Sequence, residues 1–332
     1  MSFDIAKLTA HELAAHYRSR ALSPVEATKA AIAQIERLNP AVNAFCLVDP
    51  ERALSDARVS EERFSRGAPL GPLDGVTATI KDLLLSKGWP TLRGSLTVDR
   101  NQDWSEDAPS VARLREQGVV FLGKTTTPEF GWKGVTDSAL TGITRNPWDL
   151  SKTPGGSSGG AAVAAALCMG ALHLGTDGGG SIRIPAAFTG VVGLKPTFAR
   201  VPAYPASPFG DLSHVGPITR SVADAALMLE AIAQPDARDW QALPFAPPAY
   251  PSTIDGGIVG VRIALCLNLG GAAVRPEVEA AVREAATALA ELGADVVEAD
   301  PGLPSTRKLF RTLWFRGAAS LASTLAPGAR EK

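Results

Sequence analysis

Two glycine clusters in the middle of the chain each carry serine. The first reads Gly155-Gly156-Ser157-Ser158-Gly159-Gly160, and the second Gly175-Thr176-Asp177-Gly178-Gly179-Gly180-Ser181-Ile182-Arg183. A serine hydroxyl attacks a carbonyl only when a base removes its proton, and the oxyanion that forms needs backbone N–H groups aimed at it. Gly178-Gly179-Gly180-Ser181 can supply such groups, because glycine tolerates unusual dihedrals and has no Cβ to hold a substrate away. Most glycine-rich turns are only turns, so this chemistry needs a base. The stretch Asp74-Gly75-Val76-Thr77-Ala78-Thr79-Ile80-Lys81-Asp82 reads as a strand that delivers Lys81 at its end. A strand-end lysine is commonly a solvated side chain. An apolar strand leading into it can instead desolvate the ammonium and lower its pKa toward that of a base. None of the four histidines falls in a glycine cluster, which leaves a Ser–His arrangement little support. His173 reads as a core histidine, and His214 as a candidate for the wall of a site.

The elements around these residues follow from caps and periodicity. Thr9-Ala10-His11-Glu12 and Ser23-Pro24-Val25-Glu26 are capping boxes, the second opening a helix with an apolar face that Asn39-Pro40 is expected to end. A polar helix is predicted over 50–66, an amphipathic helix through Ser110, Val111 and Leu114, and a buried strand at Val119–Leu122. No Asp, Glu, Lys or Arg occurs between Lys152 and Asp177, which predicts a buried helix joining the two clusters. Val191–Pro196 reads as a short strand, 198–217 as irregular, and Ser221 as the cap of a helix to about Ala233. After a Pro-rich connection at 235–257, strand, helix and strand over 259–297 form a βαβ-like unit, and a last amphipathic segment covers 306–325. The alternation argues for an α/β fold with a partly parallel sheet.

With 33 basic and 34 acidic residues among 332, the chain carries no charge excess that would favour nucleic acid or an anionic membrane. Cys46, Cys168 and Cys266 are odd in number and far apart, which argues against a disulfide framework or a metal site and for a reducing, cytoplasmic setting. The N-terminus lacks the pattern of a signal peptide. The run from Ala161 to Leu174, built from Ala and Gly, reads as a buried soluble helix and not a membrane span. Gly118-Val119-Val120-Phe121-Leu122-Gly123-Lys124-Thr125 has P-loop spacing, but strand formers fill the cradle and Pro128 follows where a helix should start, so nucleotide binding is not expected.

Taken with their surroundings, Lys81, Ser157 and Ser181 resemble the amidase signature family. The matching motifs are Pro72-Leu73-Asp74-Gly75-Val76 with Lys81-Asp82, Gly94-Ser95, Asp107-Ala108, Gly123-Lys124-Thr125 with Glu129-Phe130-Gly131, Arg145-Asn146-Pro147-Trp148-Asp149, 154–160, 175–183, Gly193-Leu194-Lys195-Pro196-Thr197 and Gly216-Pro217. They cover about residues 10 to 235 in the family's order. The resemblance implies an α/β fold with a mixed β-sheet core sandwiched by α-helices, in one domain over 1–332 with a signature core at 70–235 and a C-terminal βαβ-like part at 258–332. It also implies a Ser–Ser–Lys triad of nucleophile Ser181, bridging Ser157 held by a cis peptide, and base Lys81. Gly178, Gly179, Gly180 and Ser181 would form the oxyanion hole, with Ser158, Thr176, Asp177 and Arg183 in support and neither metal nor cofactor required. Ser158 would hydrogen-bond Lys81, and Asp177 with Arg183 would brace the nucleophile loop.

The expected activity is hydrolysis of a small or medium carboxylic amide, with that amide as the only partner and a homodimer left open. Family chains continue well past residue 332, which implies a fragment, a truncated reading frame or a shortened variant with an unpaired sheet edge. Two rivals stand beside this reading: the glutaminase component of a tRNA-dependent amidotransferase, and a non-catalytic remnant of the family. Thr127-Pro128-Glu129-Phe130 and Ser213-His214 differ from the glutaminase pattern, which favours the stand-alone amidase. A phosphate-binding protein using the glycine loops is a more distant third, because it leaves the lysine and serines without a purpose.

Overall fold

Both predicted capping boxes form: Thr9 Oγ1 accepts from Glu12 N and Ser23 Oγ from Glu26 N, while each glutamate returns a bond to the cap's own N–H. They open α1 (Ala10–Ser19) and α2 (Pro24–Val42) in a computed structural model that describes residues 4–244, 247–269, 271–325 and 328. The chain continues through β1 (Phe45–Val48), α3 (Pro50–Ser65), β2 (Thr77–Lys81), α4 (Pro109–Glu116), β3 (Val120–Thr125), β4 (Asp137–Ser138) and β5 (Gly142–Ile143). Then come α5 (Gly159–Ala166), β6 (Leu172–Asp177), α6 (Arg183–Thr189), β7 (Val192–Gly193), β8 (His214–Thr219) and α7 (Val222–Ile232). The last elements are β9 (Arg262–Leu265), α8 (Pro276–Glu291), β10 (Asp295–Glu298) and α9 (Arg307–Ser323).

Two compact units are present, one of residues 1–251 with 320–332 and one of 252–319. The first holds a six-stranded mixed sheet in the order β1-β3-β2-β6-β8-β7. The central pairings β3–β2–β6 are parallel, and β1, β8 and β7 join antiparallel. Helices cover both faces, as β3 shows. Its Phe121 packs into a core with α1, α4 and α7, whereas Val120 and Leu122 pack with α2, α3 and α5. The same alternation in β2 sends Ala78 and Ile80 into the first core and leaves Thr77, Thr79 and Lys81 on the other face, under α5. That register puts the lysine beside the serines. The second unit contains the parallel pair β9–β10 and α8, the expected βαβ-like arrangement.

Three expectations need correction. Asn39-Pro40 does not end α2, which runs to Val42 with Pro40 in its last turn. Asn39 instead closes the turn beyond it, its Oδ1 accepting from Ala44 N and Phe45 N. The uncharged run between the clusters is not one helix: α5 stops at Ala166, a turn through Cys168 and Gly170 with positive φ reverses the chain, and β6 follows. The irregular segment 198–217 gives way to β8 at His214. The P-loop-like Gly123-Lys124-Thr125 lies inside β3, where buried Lys124 pairs with Asp82 at 2.9 Å and donates to Pro90 O at 3.0 Å. Its lysine braces the loop after β2. Among the described residues no helix is long and apolar enough to cross a membrane, and no group of three or more His, Cys, Asp or Glu is placed to hold a metal ion.

Candidate active site

Lys81 ends β2 with its side chain fully buried. Its Nζ lies 2.7 Å from Ser157 Oγ, 2.9 Å from Ser158 Oγ and 2.9 Å from Thr176 Oγ1. Burial pulls its pKa well below the ordinary 10.5, opposed by the nearby Asp177 carboxylate. Strand, helix and loop thus converge on one desolvated amine ringed by hydroxyls.

The serines reach Lys81 through the turn into α5. The Gly156–Ser157 peptide bond is cis, as the resemblance implies. Ser158 precedes the first helical residue, and its Oγ donates to Thr176 O at 3.1 Å while accepting from Thr176 N at 3.2 Å. This ties the start of α5 to the end of β6. Close approach explains one of the glycines: a Cβ on Gly160 would stand 2.5 Å from the Ala44 carbonyl oxygen. A second glycine borders the site, because a Cβ on Gly131, whose φ is +70°, would lie 3.3 Å from Ser157 Oγ.

Ser181 follows β6 across a loop organised by Asp177. One Asp177 oxygen accepts from Gly180 N at 2.7 Å, and the other from Ile182 N at 3.1 Å. The Arg183 guanidinium closes the arrangement, with Nε and Nη2 each 2.9 Å from the carboxylate. Burial disfavours the charge, but Arg183 and the backbone donors prevail and hold the Asp177 pKa at about 2. The Gly180 N–H is therefore committed to Asp177 and turned from a substrate. Among the described residues, the N–H groups of Gly178, Gly179 and Ser181 have no partner. Ser181 is 7% exposed, its carbonyl accepts from Ser158 N at 3.0 Å, and its hydroxyl makes no hydrogen bond among the described residues.

Lys81, Ser157, Ser158 and Thr176 are thus joined directly, while Ser181 joins them through its backbone. The histidines do other work. His173 is fully buried against Thr79 Oγ1 at 2.8 Å, and burial, with Arg220 adding to it, lowers its pKa to about 3. His214 opens β8 opposite Asp177, and its Nδ1 donates to the carbonyls of Leu212 and Asp177. The Asp82–Lys124 pair was not foreseen as part of the site's support. Its signal was a lysine enclosed by strand formers, which requires a buried counter-charge.

Known proteins resemble this chain over most of its length. A family profile described as Amidase matches residues 26–327. An acylamidase of Rhodococcus erythropolis is 44% identical over 316 residues, covering 94% of this chain and 66% of the relative. The A-type polypeptide of the glutamyl-tRNA(Gln) amidotransferase of Myxococcus xanthus is 42% identical over 325 residues, covering 97% and 66%. Among solved structures, a bacterial aryl acylamidase of the amidase signature enzymes superposes with a TM-score of 0.88 at 34% identity, over 95% of this chain and 66% of that one. The peptide amidase of Stenotrophomonas maltophilia gives 0.80 at 33% identity, over 90% and 63%. The chain spans 66% of the length of each of these two curated relatives.

Proposed function

Because the chain belongs to the amidase signature family, we propose that it hydrolyses a carboxylic amide through an acyl-enzyme on Ser181. The observation that supports this most directly is the desolvated Lys81 amine at 2.7 Å from Ser157 Oγ. Neutral Lys81 takes the Ser157 proton, and Ser157 takes the Ser181 proton as Ser181 Oγ bonds to the amide carbon. The carbonyl π pair moves to oxygen, where the N–H groups of Gly178, Gly179 and Ser181 receive it. Collapse of the intermediate breaks the C–N bond, and the proton held by Lys81 returns through Ser157 to the leaving amine. Water then attacks the ester by the same relay and releases the acid. Gly180 serves this arrangement as a brace through Asp177. The chemistry assigned to these residues is complete without a metal or cofactor.

A second reading rests on the 42% identity to the amidotransferase polypeptide over 97% of the chain. Under it the amide is glutamine, and ammonia passes to a partner. Ammonia release from glutamine exceeding that from aliphatic and aryl amides would favour this reading. The amidase reading is tested by stoichiometric labelling with a fluorophosphonate. Labelling is expected in the native chain, lost in Ser181→Ala, and slowed at least about 1,000-fold in Lys81→Ala. A folded native chain that does not label would overturn it.

A further inference from the structure

Arg93 lines a cavity of about 550 Å3 within the first unit, and among the described residues its guanidinium has no hydrogen-bond or ion-pair partner. The side chain is half-buried, and burial pulls its pKa below the ordinary value, with Asp82 the acid that opposes the shift. Asp82 is already engaged, one oxygen with Lys124 and the other with Gly94 N. A partly desolvated cation that no side chain neutralises is poorly placed for stability alone. Its backbone is also held left-handed, with φ +56°, a conformation a non-glycine residue resists.

One residue separates the cavity's lining from a serine of the proposed relay. Arg93 O accepts from Phe130 N at 2.7 Å, Phe130 lines the cavity, and the next residue is Gly131, which abuts Ser157 Oγ. Leu85, Trp104, Phe130 and Leu321 give it apolar walls suited to a short methylene chain. Asp99, Asp103 and Glu106 also border it, but all three are exposed. Asp99 and Asp103 accept from Asn101 N and Ser105 Oγ of their own loop. Salt screens such exposed carboxylates more than it screens the half-buried guanidinium.

Building on the amidase reading, we propose that Arg93 binds a carboxylate at the far end of the substrate's acyl chain, so that the preferred substrates are monoamides of dicarboxylic acids. A guanidinium fork matches a carboxylate in two parallel hydrogen bonds, which a neutral amide of equal length cannot replace.

The test compares succinamate, glutaramate and adipamate with butyramide, valeramide and hexanamide in the native chain, Arg93→Met and Arg93→Lys. In parallel, succinate, glutarate and adipate are tried as protectants of Ser181 against the fluorophosphonate. The native chain is expected to favour the anionic amide at one chain length. Arg93→Met should lower the anionic-to-neutral ratio of kcat/KM by about 10- to 100-fold, chiefly through KM, with Arg93→Lys between the two. The matching dicarboxylate should slow labelling in the native chain and not in Arg93→Met. Because every residue at 93 meets the same backbone strain, the contrast isolates the side chain. Normal labelling with no anionic preference and no protection, or with both persisting in Arg93→Met, overturns this inference alone. A native chain that does not label overturns the amidase reading, and the inference with it.

Discussion

Three hydroxyls surround Lys81 Nζ, and a neutral amine has two N–H groups and one lone pair to offer them. Ser158 donates its own proton to Thr176 O, so toward Lys81 it must accept. Ser157 and Thr176 then share the other N–H and the lone pair, and the arrangement the proposed relay requires is the one in which Ser157 donates. Ser158→Ala should therefore weaken acylation by about 10- to 100-fold while Ser157→Ala weakens it by at least about 1,000-fold, read from the labelling rate. The pH dependence follows from the same group. Since burial depresses the Lys81 pKa, labelling should rise with pH and level off below 10.5. Stability carries the matching sign: between the depressed value and 10.5 the unfolded chain binds a proton that the folded chain does not. Stability due to this group therefore rises with pH across that window. Urea denaturation over a pH series should show a shallower rise in Lys81→Met than in the native chain, and equal slopes would contradict the assignment.

At the scale of elements, helices announced themselves and some strands did not. The caps at Thr9, Ser23 and Ser221 act locally, so they are readable in a few residues. β6 is covered on both faces and too short for its Leu172-His173-Leu174 alternation to stand out, so it merged with the Ala-rich helix before it. β8 hid behind Pro217, which has no N–H for a ladder, yet its carbonyl still accepts from Leu194 N at 3.1 Å. The site residues were legible because serines in glycine clusters are conspicuous. Their assembly was not, because Lys81 meets Ser157 and Thr176 only through the parallel register of β2 on β6. The Asp177 loop offers the prediction at this scale. Asn in its place has one acceptor oxygen, and its NH2 would face one of the N–H groups that Asp177 now accepts. Asp177→Asn should cost about 2 kcal/mol, at the low end for a buried pair because Arg183 is half-exposed, and should slow labelling more than 10-fold. The carboxylate's contribution should be present above its unfolded value near 3.8 and fade as pH falls through about 2. Thermal melts of both chains between pH 2 and 6 should converge at the acid end.

Across the whole molecule, burial is unevenly shared. Every residue of β2 and β3 is buried, and helices cover both faces of that sheet. In the second unit the buried residues among those described are Ala294 and Gly317, and α8 leaves Val278 and Val282 about half-exposed. Apolar burial is the main source of resistance to opening, so backbone hydrogen bonds in the two units should not be equally protected. In native-state amide exchange, β2, β3 and β6 should open only with global unfolding. The amides of β9, β10 and α8 should exchange at least about 100-fold faster. Leu172→Ala sharpens the contrast, because Leu172 is fully buried in the core that α1, α4 and α7 share with the sheet. Its loss should cost about 2–5 kcal/mol and lower protection throughout the six-stranded sheet. Protection in β9 and β10, set by their own shallow burial, should hardly move. Equal protection in both units of the native chain, or an equal loss in both on Leu172→Ala, would show that stability is shared in a way the distribution of buried surface does not predict.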